Sequence, residues 1–133
     1  MIRASSFRIE TTKRIEVINI TPEVREFVRQ SGIGAGLCSV NIKHTSAGIV
    51  IQEDERLLRE DIENYFRPIV EDDKENPRYR HNCLGERPEC SASEPLNAGA
   101  HLSSALVGSS VSVPVKNGDL DLGIWQQVLF LEY

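Results

Sequence analysis

Three histidines occur in the chain, and each sits among small or polar neighbours. His44 opens the run His44-Thr45-Ser46-Ala47-Gly48, His81 stands in Tyr79-Arg80-His81-Asn82, and His101 follows Asn97-Ala98-Gly99-Ala100. A neutral imidazole nitrogen binds divalent metals, and three such ligands with a water or carboxylate make a tetrahedral catalytic site. No short zinc-finger spacing is present, so convergence of the three competes with three unconnected roles. A rival set uses sulfur: His81, Cys83, Cys90 and His101. The six-residue gap between Cys83 and Cys90 is wider than the usual two to four.

Two carboxylates stand out. Asp61 falls within the stripe Leu57, Leu58, Ile62, Tyr65 of an expected helix. Burying a carboxylate costs several kcal/mol without a cation or donors to meet it, so Asp61 needs a partner or the true stripe is narrower. Glu53 ends the apolar run Ile49-Val50-Ile51, but Asp54 and Glu55 suit a helix first turn equally well. Lys43, Thr45 and Ser46 offer a cation and two hydroxyls at a strand end, a turn able to present N–H groups to phosphate. It also reads as an ordinary hydroxyl-stabilised turn. Ser46 lacks the Gly-x-Ser-x-Gly setting of a hydrolase nucleophile.

The elements that must position these groups follow from periodicity. Phe7 to Glu10 and Ile15 to Val17 alternate as a half-buried antiparallel pair. Thr21-Pro22-Glu23 starts a helix, with the Thr21 hydroxyl as N-cap and Val24, Phe27 and Val28 on one face, ending at Gly32. Cys38, Val40 and Ile42 alternate with polar residues, placing His44 next in phase. Ile49 to Ile51 reads as a buried strand, Asp54 to Phe66 as a helix closed by Pro68, and Leu96 to Val107 as a helix ending at Gly108. Val111, Val113 and Val115 lead into Asn117-Gly118, a strong hairpin signal, with Leu120 to Ile124 returning and Val128 to Leu131 as the last strand. Residues 67 to 93 show no periodicity, and a loop that long is usually functional. The fold class is α+β: about seven mostly antiparallel strands with two or three inserted helices, in one domain over residues 1–133.

Composition bounds the partners. The 133 residues, 40% hydrophobic and 26% charged, suit one globular domain. A net charge of −5 argues against a general nucleic-acid binder. Residues 53 to 94 hold thirteen acids and seven bases, so the acidic excess belongs to that middle segment. No run approaches the ~20 apolar residues of a membrane span, and no signal-peptide core opens the chain, so a cytoplasmic protein without a membrane partner is expected. Three cysteines are an odd number and read as thiols or ligands rather than staples.

Taken together, these segments resemble the YjbQ family, sometimes labelled secondary thiamine-phosphate synthases. The resemblance rests on His44-Thr45-Ser46-Ala47-Gly48, Glu53, Asp61, Tyr79-x-His81-Asn82, Asn97-Ala98-x-Ala100-His101-Leu102, Leu106-x-Gly108-Ser109-Ser110 and Gly118-x-Leu120-x-Leu122-Gly123-x-Trp125-Gln126. It implies a sandwich-like domain in a homotrimer, with the histidines and acids gathered in one polar pocket. His44, His81 and His101 would then hold a divalent metal, zinc or magnesium/manganese. His81 would arrive on the long loop, and Asp61 and Glu53 would orient the ligands or act as base. Lys43, Thr45, Ser46, Asn97 and Gln126 would line a site for a small phosphorylated molecule. Members commonly carry Asn-Glu where Gln52-Glu53 stands here, and an arginine-containing tail beyond the position of Tyr133.

Three functions follow as expectations. The first is synthesis of thiamine phosphate from a pyrimidine diphosphate and a thiazole phosphate, releasing pyrophosphate, through positioning and electrostatics. The second is metal-assisted hydrolysis at a three-histidine site. The third is a trimeric protein that binds metal or ligand without catalysis.

Overall fold

The computed structural model describes residues 1–72, 74–75, 77–91 and 93–133. Two three-stranded antiparallel sheets carry the architecture. One has β1 (Glu16–Asn19), β6 (Gln126–Glu132) and β3 (Ala47–Glu53) in the order β1-β6-β3. The other has β2 (Ala35–Asn41), β4 (Ser110–Lys116) and β5 (Asp119–Leu120) in the order β2-β4-β5. The helices are α1 (Thr21–Ser31), α2 (Arg56–Val70) and α3 (Ala98–Val107). The α+β class with antiparallel sheets is as the sequence implies. Among the described residues, no helix is long and apolar enough to cross a membrane.

Strand β6 explains the layering. It lies between two partners, and its residues are apolar toward both faces, as a covered central strand requires. Val128 and Phe130 join Ile49, Cys38, Val113, Val115 and Leu120 in a core that the two sheets share with Val24 and Val28 of α1. Leu129 and Leu131 face the other way, into a second core with Val17, Phe66, Val70 and Ala100. The first sheet is therefore sandwiched between the second sheet on one side and α2 with α3 on the other. The turn after β4 is as its Asn-Gly pair demands, with positive φ at Asn117 (54°) and Gly118 (78°).

Four local expectations are corrected. Residues 7 to 10 form no strand, because the β1–β6 register starts at Glu16 opposite Glu132, where the partner strand ends. Ile124 lies in an exposed turn rather than on a return strand. Pro68 does not close α2, which continues to Val70 and ends with the Glu71 N–H on the Arg67 carbonyl. Thr21 does not cap α1 from outside. It is the first helical residue, and its hydroxyl accepts from Val128 N–H at 2.8 Å, fastening the helix to β6.

Two close approaches set the position of α3. A Cβ on Gly99 would lie 2.0 Å from the Ile69 carbonyl oxygen, so only glycine lets α3 pass this near α2. On Gly48 it would lie 2.9 Å from both the Tyr133 hydroxyl and a Val107 methyl. The far end of α3 is fastened to the sheets by Ser104 Oγ donating to the Ala47 carbonyl (2.8 Å) and Ile49 N–H donating to the Gly108 carbonyl (3.1 Å).

Candidate functional site

Because α3 lies across the start of β3, His101 reaches the link between β2 and β3. Its Nδ1 sits 2.9 Å from the Thr45 carbonyl oxygen. A carbonyl only accepts, so Nδ1 carries the proton and Nε2 is the nitrogen left for a ligand. The ring of His81 meets that of His101 edge to face, with centroids 5.1 Å apart and an interplanar angle of 89°. Together they line a cleft of about 530 Å³ with Arg78, Tyr79, Arg80, Ala98 and Leu102.

The loop carrying His81 is ordered by polar bonds. Residues 80–82 and 84–86 form two short 3-10 turns. The Tyr79 hydroxyl donates to the Ile69 carbonyl (3.1 Å), and the Arg78 guanidinium donates to the Glu71 carbonyl (2.8 Å) while lying over the Tyr79 ring. Arg87 donates to the His81 carbonyl (2.9 Å) and pairs with Glu94 (3.1 Å). Arg14 Nη2 donates to the carbonyls of Val70 (3.2 Å) and Leu96 (3.1 Å), the two places where the loop leaves and rejoins the helices. The cleft's immediate lining is cationic although the surrounding segment is acidic.

The other sequence-derived residues fall in different places. His44, Lys43 and Thr45 are exposed and Ser46 half-buried on the β2–β3 link; Thr45 contributes its carbonyl to His101. Burial raises the Glu132 carboxyl, with nearby His44 acting in the opposite sense. Asn97 directly precedes α3 and has a sheltered Oδ1 without a hydrogen-bond partner; Asn82 bonds the first helical N–H instead.

Glu53 and Gln126 face each other across the β3–β6 ladder at the far end of β3. The strand's length puts them about 20 Å from the Thr45 end. Gln126 Oε1 accepts from Gly123 N–H at 2.8 Å, closing the turn before β6. The chain therefore does not bring Glu53 or Gln126 to the histidine pair.

Of the two readings of Asp61, a buried acid or a narrower stripe, the structure has the narrower stripe. The inward face of α2 is Ile62, Phe66, Ile69 and Val70, while Leu57 and Tyr65 are 52% and 69% exposed. Asp61 lies beyond the edge of that narrower stripe, in solvent. The sheltered acid nearby is Asp54, bonded by Arg59 and by Asn19 Nδ2 (2.7 Å). The Arg59 bond, helped by Asn19, holds the Asp54 carboxyl below its usual range. Glu55 caps α2, its carboxylate accepting from Leu57 and Leu58 N–H, both at 3.0 Å.

The donor set does not complete the three-histidine metal centre within one subunit. Among the described residues no group of three or more His, Cys, Asp or Glu side chains is arranged to hold a metal ion. His81 and His101 supply two donors where a catalytic zinc takes three. The sulfur alternative falls under the same test, and Cys38, Cys83 and Cys90 are free thiols. A hydrogen bond to Glu94 pushes the Cys90 thiol up.

Fold and cleft together define a small α+β protein with paired imidazoles beside two arginines. The chain belongs to the family described as UPF0047 protein YjbQ-like, whose profile matches residues 5–133. It is 40% identical over 125 residues to a UPF0047 protein of Archaeoglobus fulgidus, covering 94% of this chain and 86% of that one. A hypothetical protein from Aeropyrum pernix K1 superposes with a TM-score of 0.78 at 33% identity, over 93% of this chain and 83% of the other. A YbjQ-like protein of unknown function from Sulfolobus solfataricus P2 gives 0.77 at 31%, over 93% and 80%.

The residues that sequence reasoning missed are Arg78 and Arg80, which flank Tyr79 and His81 in the cleft, and Arg14. Arg78 and Arg80 sit inside the segment without periodicity; Arg14 precedes β1, 82 positions from its partner Leu96.

Proposed function

We propose that the cleft between His81 and His101 binds a small phosphorylated molecule. The supporting observation is the imidazole pair beside Arg78 and Arg80, with one ring oriented by the Thr45 carbonyl. Guanidinium groups match phosphate oxygens in charge and geometry, and His101 Nε2 is the atom free to bond a phosphate oxygen or its proton.

The reaction class that best suits this cleft is displacement of a diphosphate. In thiamine-phosphate synthesis the thiazole nitrogen attacks the carbon bearing the pyrimidine's diphosphate. A C–N bond forms, the C–O bond breaks, and pyrophosphate leaves with the bonding pair. Arg78 and Arg80 would stabilise the charge that grows on the leaving group, and no covalent enzyme intermediate is required. Metal-assisted hydrolysis finds no third protein ligand grouped with the two imidazoles among the described residues, and no step here runs through a metal.

The working form is proposed to be a homotrimer. Leu37, Leu106, Ile124 and Trp125 are large apolar side chains left exposed, and self-association would cover them. Sedimentation equilibrium should return three chain masses; one chain mass would refute the trimer.

The function is tested by incubating the protein with both phosphorylated substrates and following pyrophosphate. Release dependent on both substrates supports the synthase. Pyrophosphate binding without release, by wild type at saturating substrates, would reduce the protein to a binder.

A further inference from the structure

We infer that Asn82 is the positioning residue that sets the spacing of His81 and His101. The assignment rests, for its consequence on ligand binding, on the phosphate reading above. Asn82 is only 3% exposed, although it lies in a surface loop. It ends the 3-10 turn that holds His81. Its Oδ1 accepts the N–H of Ala98, the first residue of α3, at 3.1 Å. Its Nδ2 donates to Asp72 Oδ2 at 2.6 Å, just past the end of α2, and the other oxygen of Asp72 accepts the Arg78 N–H at 2.9 Å. One side chain thus joins the His81 turn, the helix of His101 and, through Asp72, the backbone of Arg78.

A primary amide performs both halves of this contact at any pH, accepting from an N–H while donating to a carboxylate. A hydrocarbon of the same size would leave the Ala98 N–H and Asp72 without this partner. A carboxylate would keep the bond to Ala98 but set a second negative charge against Asp72. Two carboxylates that close share a proton, so the contact would re-form only as the pH falls. Among the described residues, the charged groups of this loop include Arg78, on the Glu71 carbonyl and the Tyr79 ring; Arg80, paired with Glu86; and Arg87, on the His81 carbonyl and Glu94. His81 itself is adjacent in the chain. These groups are common to every variant below, so each is compared with wild type at the same pH.

The experiment uses Asn82→Asp and the exchange Asp72→Asn/Asn82→Asp. Inorganic pyrophosphate affinity is read by calorimetry from pH 5 to 8, the His81–His101 ring cross-peak by NMR, and folding by thermal melts. Asn82→Asp should weaken binding at pH 8 by about tenfold or more, the cost of breaking a bond to a charged group, and lose the cross-peak. Both should recover relative to wild type toward pH 5. The exchange restores the bond in the opposite sense, so it should return affinity to within about threefold of wild type at pH 8, along with the cross-peak. A folded Asn82→Asp protein that keeps the cross-peak at pH 8 would overturn the assignment. So would a folded exchange variant that fails to regain it. If wild type binds no pyrophosphate, the phosphate reading falls, while the cross-peak still decides the role of Asn82.

Discussion

The imidazole of His101 donates from Nδ1 to the carbonyl of Thr45 across 2.9 Å, joining α3 to the link between β2 and β3. This bond crosses 56 positions of sequence and gives His101 a defined tautomer. Thr45 enters this contact through its backbone carbonyl. The orientation depends on α3 keeping its distance from α2 and from the sheet.

That distance is set by Gly99. Replacing it with alanine would place a methyl group 2.0 Å from the Ile69 carbonyl oxygen, and backbone on both sides leaves no flexible atom to yield. Gly99→Ala should cost about 3 kcal/mol, the upper end for overpacking. A denaturant titration giving a loss below about 1 kcal/mol would show that α3 can move away freely.

Stability should depend on acid through Asp54. The Arg59 bond holds its carboxyl below the usual range, so its contribution is present above the unfolded pKa of about 3.9 and is lost as pH falls through the lower folded value. Asp54→Asn should lower the melting temperature by roughly 4 °C at pH 7, and the gap from wild type should close as the pH drops toward 3. A gap that widens in acid would contradict the assignment.

Metal removal should leave ligand binding in place. Among the described residues the two imidazoles have no third metal-ligating side chain grouped with them, and the arginines supply the charge for a phosphate. Pyrophosphate affinity should be the same before and after exhaustive chelation. A loss on chelation that added zinc, magnesium or manganese reverses would return the metal reading, with a donor drawn from a second copy.

Much of the fold was legible because it is written locally. The apolar run Val128 to Leu131 marks the last strand and Asn117-Gly118 dictates the turn after β4, while the cover on both faces of β6 and the close approaches at Gly48 and Gly99 come from the packing. Asp61 stayed between two readings because periodicity fixes that a stripe exists better than its edges; Leu57 and Tyr65 suggested a stripe wider than the buried one. Pro68 misled because, near a C-terminus, a proline need not stop a helix for its last few residues. The site was legible only in part. His81 and His101 were marked by their settings, but the hydrogen bonds bringing them together come from Thr45, Asn82 and Asp72, far apart in the chain. Glu53 and Gln126 share the family pattern, yet the β3–β6 register carries them to the other end of the sheet.

His81 and His101 are proposed to form one phosphate-binding unit with Arg78 and Arg80. The direct measurement is an NMR titration of the histidine ring resonances with inorganic pyrophosphate, in wild type and in a Arg78→Gln/Arg80→Gln variant. The His81 and His101 signals should shift together along one saturating curve while His44 stays still, and the variant should abolish the shift. Shifts in His44 alone, or none in wild type at millimolar pyrophosphate, would contradict it.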